Sequence, residues 1–280
     1  MAADSQPIVL IHGMWMTPHS WDDWIDHYKD RGYNAIAPGW PGVKDPEQIR
    51  RDPSPLKGLG VKKMVDHYDD IIRGLDRAPI IIGHSFGGLV TQLLLERGLG
   101  AAGVVIGTAP PKGILVLPPS TLRASVPGLK NPFDPDGLAP LSHAQFRYRF
   151  TNTVSEQESD RIYAEQYITG TNRAFVDAAY ANLHRRSPTA INFSNPERPP
   201  LLIIAGSEDH ISPISLNRKL FKLQSQASSA TELKEYEGRP HFMAGLDGWE
   251  EIADYALNWA LEHRQAPAAS QPLSSSAPSQ

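Results

Sequence analysis

The 280-residue chain contains no cysteine, so disulfides, thiolate metal sites and cysteine nucleophiles are excluded together. It has little charge imbalance. Its 27 basic and 31 acidic side chains leave a net charge of −4, which gives no electrostatic footing for nucleic acid or an acidic membrane surface. No apolar run approaches the roughly 20 residues that a bilayer-spanning helix needs. Residues 1–7 lack the basic and apolar regions of a signal peptide, and a soluble, cytoplasmic chain is the expectation. No internal repeat is visible, and His, Asp and Glu show no ligand spacing such as H-E-x-x-H. Neither a metal nor a cofactor is expected, and nothing in the sequence fixes the oligomeric state.

Short β-rich runs alternate with amphipathic helical patterns, the signature of parallel βαβ units in an α/β protein. Residues 7–11 form a continuous apolar run of strand length, as suits a strand covered on both faces. Thr17 and Pro18 read as an N-cap and first helical position, and Trp21, Trp24, Ile25 and Tyr28 then fall on one helix face, with Gly32 as the stop. Further strands are expected at 33–38, 79–82, 103–106, 201–205 and 232–236. Further helices are expected at 61–75, 88–97 and 249–263, the last with Ile252, Tyr255, Ala256, Trp259 and Ala260 inward. Twenty-five prolines are many, and they cluster at 109–137 and 187–200. Residues 110–200 break the alternation with polar helical patterns near 141–150, 156–168 and 173–183. That is too long for a connection and too patterned for a linker. The organisation expected is a core of 7–109 and 201–264, a helical insertion at 110–200, and an Ala/Ser/Pro/Gln-rich disordered tail at 265–280.

Gly83-His84-Ser85-Phe86-Gly87 fits the G-x-S-x-G nucleophile elbow, a tight strand-to-helix turn that lifts a serine hydroxyl clear of a sheet. Alone the pattern is weak, since chance supplies it in about one chain of this length in ten. Its setting, straight after an apolar strand and straight before a helix, is what gives it meaning. Such a serine needs two N–H donors for the oxyanion it creates. Phe86, just after the nucleophile, and Met14, in the His12-Gly13-Met14 loop after the first strand, are the candidates. Asp209, just past the 201–205 strand, is the candidate acid, with Glu208, one residue away and pointing elsewhere, as its rival. His241, between the last strand and last helix, is the candidate base among ten histidines. His84 and His210 adjoin the serine and the acid and are poor bases for that reason. The order Ser85, Asp209, His241 is that of the elbow-bearing fold.

Ile11-His12-Gly13, the Gly-His-Ser-Phe-Gly-Gly stretch at 83–88, Gly206-x-x-Asp209 and the late His241 together resemble the α/β-hydrolase superfamily. The resemblance spans about residues 7–264 and is closest in style to capped serine esterases and haloperoxidase-like members. It implies an α/β-hydrolase fold, a mostly parallel sheet with helices on both faces, and the insertion acting as a cap. Only six residues precede the first strand, so the two usual antiparallel edge strands are expected to be missing. The short oxyanion loop, without a glycine run, implies small or medium acyl groups.

The expectation for function is hydrolysis of a carboxylic ester or lactone of an apolar, bulky or aromatic small molecule through an acyl-enzyme on Ser85. His12, Gly13, Trp15 and Trp40 are candidate substrate contacts beside the strand ends, with Met16 and Phe86. Phe133, Phe146, Tyr148, Phe150, Tyr163 and Tyr167 are candidates to roof the crevice. The same three side chains would also serve C–C, amide or carbamate cleavage or perhydrolysis, and a slow-turnover ligand receptor is the non-enzymatic alternative.

Overall fold

The computed structural model describes residues 6–43, 45–114, 119, 120, 123 and 134–265. The tail beyond Gln265, Phe133 and much of the proline-rich stretch after residue 114 lie outside the described residues.

Six strands form one sheet in the order β2-β1-β3-β4-β7-β8, every pair parallel. They are β1 (Ile8–Ile11), β2 (Ala35–Ile36), β3 (Ile80–His84), β4 (Ala102–Ile106), β7 (Leu201–Gly206) and β8 (Thr231–Tyr236). No antiparallel edge strand precedes β1 among the described residues. The inner strands are apolar on both sides because both faces are covered. Val9, Ile11, Ile81, Val105, Leu201 and Ile203 meet α3 (Val61–Arg73), α4 (Phe86–Glu96) and α8 (Ile214–Gln224) on one face. Their alternates Ile8, Leu10, Ile80, Ile82, Val104 and Ile204 meet α1 (Asp22–Asp30) and α9 (Trp249–His263) on the other.

The helices follow their apolar spacing. Val61, Met64, Val65, Tyr68 and Ile72 form the buried stripe of α3, which ends at Arg73, two residues earlier than the apolar pattern through Leu75 suggests. Ile252, Ala256, Trp259 and Ala260 are the buried side of α9. Half-buried Tyr255 turns its hydroxyl to Glu232. One start differs from expectation. Residues Pro18–Trp21 form a 3-10 turn before α1, and the Thr17 hydroxyl, instead of capping, donates to Gln166 Oε1 at 3.4 Å.

Between β4 and β7 lies the insertion. It carries α5 (His143–Phe150), α6 (Glu156–Gln166) and α7 (Asn172–Ala179), near the three expected patterns. Its two-residue strands β5 (Leu138–Ala139) and β6 (Gly170–Thr171) pair antiparallel. A capping box, Ser142 with Gln145, starts α5. A short helix α2 (Pro46–Arg51) follows β2. The insertion seats on the sheet through Phe146, Phe150, Ile162 and Ile168, which share one buried cluster with Met14, Trp15 and Phe86. Among the described residues no helix is long and apolar enough to cross a membrane.

Candidate active site

The chain goes from β1 outward to β2 and then returns to the far side of β1 as β3. In an open parallel sheet a crevice forms where successive connections leave in opposite directions, at the carboxyl ends of the strands. The loop after β1 carries His12 to Met14, and the turn after β3 carries Ser85, so both flank that crevice.

Ser85 is a single-residue turn between β3 and α4, with φ 54° and ψ −117°. A non-glycine residue there stores strain of about 1–3 kcal/mol and persists only when its surroundings over-determine it. Here they do. The Ser85 N–H donates to Ile106 O at 3.0 Å, and its carbonyl accepts from Gly88, Leu89 and Ala109 at 3.0, 3.2 and 2.9 Å. The helix start must also lie against β1: a Cβ on Gly87 would stand 2.0 Å from Ile11 O, so only glycine fits.

The candidate acid and base follow the ends of β7 and β8. His241 Nδ1 lies 2.7 Å from Asp209 Oδ2, and both side chains are fully buried. The other carboxylate oxygen accepts from the Ile211 and Ser212 amides, each at 2.7 Å. A carboxylate that accepts on every side leaves Nδ1 as the protonated ring nitrogen. Nε2 is then a bare lone pair, and it is buried with no hydrogen-bond partner. The pair packs on Gly107, whose notional Cβ would lie 3.0 Å from Asp209 Oδ2 and 3.2 Å from His241 Nδ1. Since His84 is level with Ile106 in the β3–β4 register, Gly107 stands beside Ser85. The imidazole is thus held at the height of the serine, one strand away. Glu208 is exposed, and His210 turns its Nδ1 to Tyr148 O at 2.8 Å.

His84 has a structural task that its position in the sequence did not signal. Its Nε2 donates to His241 O at 2.9 Å, and the two rings sit 4.8 Å apart. Burial pushes its pKa down to about 3, so it is a neutral donor that ties the elbow to the loop carrying His241. Phe150, from the insertion, meets the other side of the His241 ring edge-on at 5.1 Å and accepts the Phe242 N–H at 3.0 Å. In the sequence Phe150 stands among the aromatic candidates to roof the crevice, but nothing there marks its contact with His241.

The remaining predicted residues also gather here. The amides of Met14 and Phe86 donate to no other group among the described residues. Phe86 begins α4, where the helix dipole favours negative charge. Gly13 lies against the elbow, where a Cβ would come 2.9 Å from Ser85 Cβ. His12 stacks on Trp40 with ring centroids 4.9 Å apart, and Trp40 Nε1 donates to His12 O at 3.2 Å. Burial holds the His12 ring neutral, with its pKa lowered to about 4. Trp15 is buried and spends its indole N–H on Ala139 O at 2.6 Å. Ser85 is only 3 % exposed and His241 0 %, so the site is closed over. A hollow of about 460 Å³ between α5 and α6 is lined by polar side chains including His143, Arg147 and Asp160, none of them from the site. Among the described residues no three His, Asp or Glu side chains are grouped to hold a metal ion.

This sheet, with a strained serine at the end of its third strand, defines an α/β-hydrolase-type protein. The family model of the alpha/beta hydrolase family matches residues 8–255, and the chain belongs to that family. Its fold is similar to that of a monoacylglycerol lipase from Paleococcus ferrophilus (19 % identity, TM-score 0.66, 92 % of this chain and 94 % of that one). It is also similar to a methylesterase from Arabidopsis (14 % identity, TM-score 0.64, 92 % and 99 %). A pyrethroid hydrolase from Sphingobium faniae is a third (16 % identity, TM-score 0.60, 91 % and 97 %).

Proposed function

We propose that this protein is a serine hydrolase that cleaves a carboxylic ester or lactone of an apolar small molecule, with Ser85 as nucleophile, His241 as base and Asp209 as its orienting acid. The observation that carries this reading is the buried, partnerless Nε2 of His241, held at the level of Ser85 while Nδ1 is committed to Asp209. A buried polar atom without a partner is costly. Ser85 Oγ makes no hydrogen bond to this nitrogen in the structure, so in the proposed reaction the serine hydroxyl turns toward it as substrate binds. That proteins of similar fold include a lipase, a methylesterase and a pyrethroid hydrolase agrees with an ester as substrate.

In the proposed sequence Ser85 Oγ attacks the ester carbonyl carbon and its proton passes to His241 Nε2. The new oxyanion accepts from the N–H groups of Met14 and Phe86, each such donor contributing about 2.7–4 kcal/mol of transition-state stabilisation. The bond to the alkoxide oxygen breaks, and that oxygen takes the proton from His241. Water then attacks the acyl carbon and gives its proton to Nε2, the Ser85 C–O bond breaks, and Oγ takes the proton back. Met14, Trp15, Phe86, Phe150 and Phe242 are all buried around these atoms, which favours an apolar acyl or alcohol group over a charged one. The insertion acts as a cap, since its Phe150 touches His241 and its residues share the cluster that covers the elbow.

The test compares Ser85→Ala with the parent protein on p-nitrophenyl esters of increasing chain length. The expected loss in kcat is about 10⁴-fold or more with the circular dichroism spectrum unchanged, and the parent should show an acyl adduct on Ser85 by mass spectrometry. Equal hydrolysis by variant and parent overturns the assignment.

A further inference from the structure

The residue after the Met14 amide has a backbone that does not suit it. Trp15 has φ 67°, the left-handed region that a bulky L side chain avoids because its Cβ crowds the backbone. Ser85, the other such residue among those described, is fixed by the sheet. Trp15 is fixed from elsewhere. Its indole N–H donates to Ala139 O at 2.6 Å, and its carbonyl accepts the Ile168 N–H at 3.2 Å. Its ring meets the Phe150 ring edge-on at 6.1 Å. Gly170 presses backbone against it so closely that a Cβ there would sit 2.6 Å from the indole nitrogen and 3.0 Å from Met14 Cγ. All four partners belong to the insertion.

We infer that Trp15 is a positioning residue through which the cap sets the oxyanion loop: the Met14 N–H is aimed at the reacting carbonyl only while the cap grips the Trp15 indole and carbonyl. The inference rests on the reading of Met14 as an oxyanion donor. Its logic is that a strained conformation lasts as long as its clamps. Ser85 and His241 are sealed from solvent, so substrate entry requires the cap to shift, and a shift that frees Trp15 lets its backbone relax and turns the Met14 amide away. Phe150 links the two halves of the device, since it packs on both Trp15 and His241. Closure over a bound ester then completes the donor pair and fixes the base in one movement, which ties catalytic competence to a substrate that fits beneath the cap.

Two variants test this from opposite sides of one contact. Trp15→Phe keeps an aromatic ring but loses the donor to Ala139, and Gly170→Ala pushes the indole away from the cap side. Each is assayed for kcat and KM on p-nitrophenyl butyrate and for inhibition by a straight-chain alkyl trifluoromethyl ketone, whose adduct with Ser85 carries an oxyanion. The expected result is a kcat at least about tenfold lower and an inhibition constant raised by a similar factor, with KM within about twofold of the parent, since the affected interaction exists only in the transition state. A kcat and inhibition constant within twofold of the parent overturn the inference, as does a rise in KM alone, which would make Trp15 a substrate contact. Should Trp15→Phe fail to fold, Gly170→Ala decides. Retained activity in Ser85→Ala sinks the underlying hydrolase reading instead, and the two failures are thereby told apart.

Discussion

On the sheet side of the site, backbone groups fix the side chains. Asp209 is held by two amides, the Ser85 turn by four backbone hydrogen bonds, and His241 by the carboxylate and the His84 imidazole. On the insertion side, α5 and α6 share the buried Phe146, Phe150 and Ile162, and at their outer edge they are joined by side chains in water: His143 with Asp160 at 2.8 Å and Arg147 with Glu156 at 3.6 Å. Backbone groups tied into a sheet end cannot move without breaking the sheet, whereas exposed ion pairs re-form at little cost. The difference separates two demands. Chemistry needs atoms that are already in place, and substrate admission needs a surface that can shift.

The sharpest way to break that contrast is Asp209→Asn. The two amides at Ile211 and Ser212 would keep the oxygen of the new carboxamide, so its NH₂ would face His241 Nδ1. A donor there forces the proton onto Nε2, the tautomer that cannot accept from Ser85. The expected loss is about 10⁴-fold in kcat with the thermal midpoint little changed, the magnitude known for this exchange in serine proteases. A loss of tenfold or less would mean that the carboxylate's surroundings are looser than their geometry and that the sheet side is not preorganised.

The same contrast governs what the sequence disclosed. Strands covered on both faces need unbroken apolar runs, so β1, β3, β4 and β7 stand out, while the edge strands are a two-residue β2 and a half-buried, charged β8. The elbow and the Ser85, Asp209, His241 order follow from where the strands end. Helix α8 carries no such mark. Leu216 and Leu220 are its buried apolar residues, while the buried Asn217 and Gln224 donate to Ser212 O at 2.7 Å, just before the helix, and to Gln92 Oε1 at 3.0 Å on α4. Thr17 looked like a cap because the residue type is right, but its hydroxyl is claimed by Gln166 on a distant helix. The two-residue strands β5 and β6 are set by pairing across 30 residues of chain and have no periodicity to read. The clamp on Trp15 is likewise a tertiary fact, for the tryptophan is visible in the sequence and its backbone strain is not.

A smaller effect separates the halves by acid. His12 and His84 are buried beneath the site as neutral rings, with pKa values lowered to about 4 and about 3. In the unfolded chain both protonate near 6.5. Between pH 6.5 and about 4 the unfolded state therefore binds more protons than the folded one, and stability falls as pH falls, by up to about 1.4 kcal/mol per pH unit for each ring. Urea midpoints measured from pH 7 to pH 4.5 should decline accordingly, and His84→Gln, which keeps a donor for His241 O, should flatten the slope. An unchanged slope in that variant would show that the sheet side tolerates charge beneath the serine and is less rigid than it looks.

The smallest effect expected lies on the insertion, the proposed cap. Arg161 bridges Glu158 at 2.6 Å and Glu165 at 2.8 Å along α6, with its side chain 56 % exposed. Solvent screens such pairs, and the entropy of holding three long side chains offsets much of the attraction. Arg161→Ala should lower stability by no more than about 1 kcal/mol and leave kcat on short esters within twofold, measured by urea unfolding and by steady-state rates on the same preparation. A larger fall in kcat without a matching loss of stability would mean that the outer charges of α6 set the resting position of the cap over Ser85. The cap would then be poised by its surface, and the division between a rigid sheet and a freely adjusting cover would have to be redrawn with α6 on the rigid side.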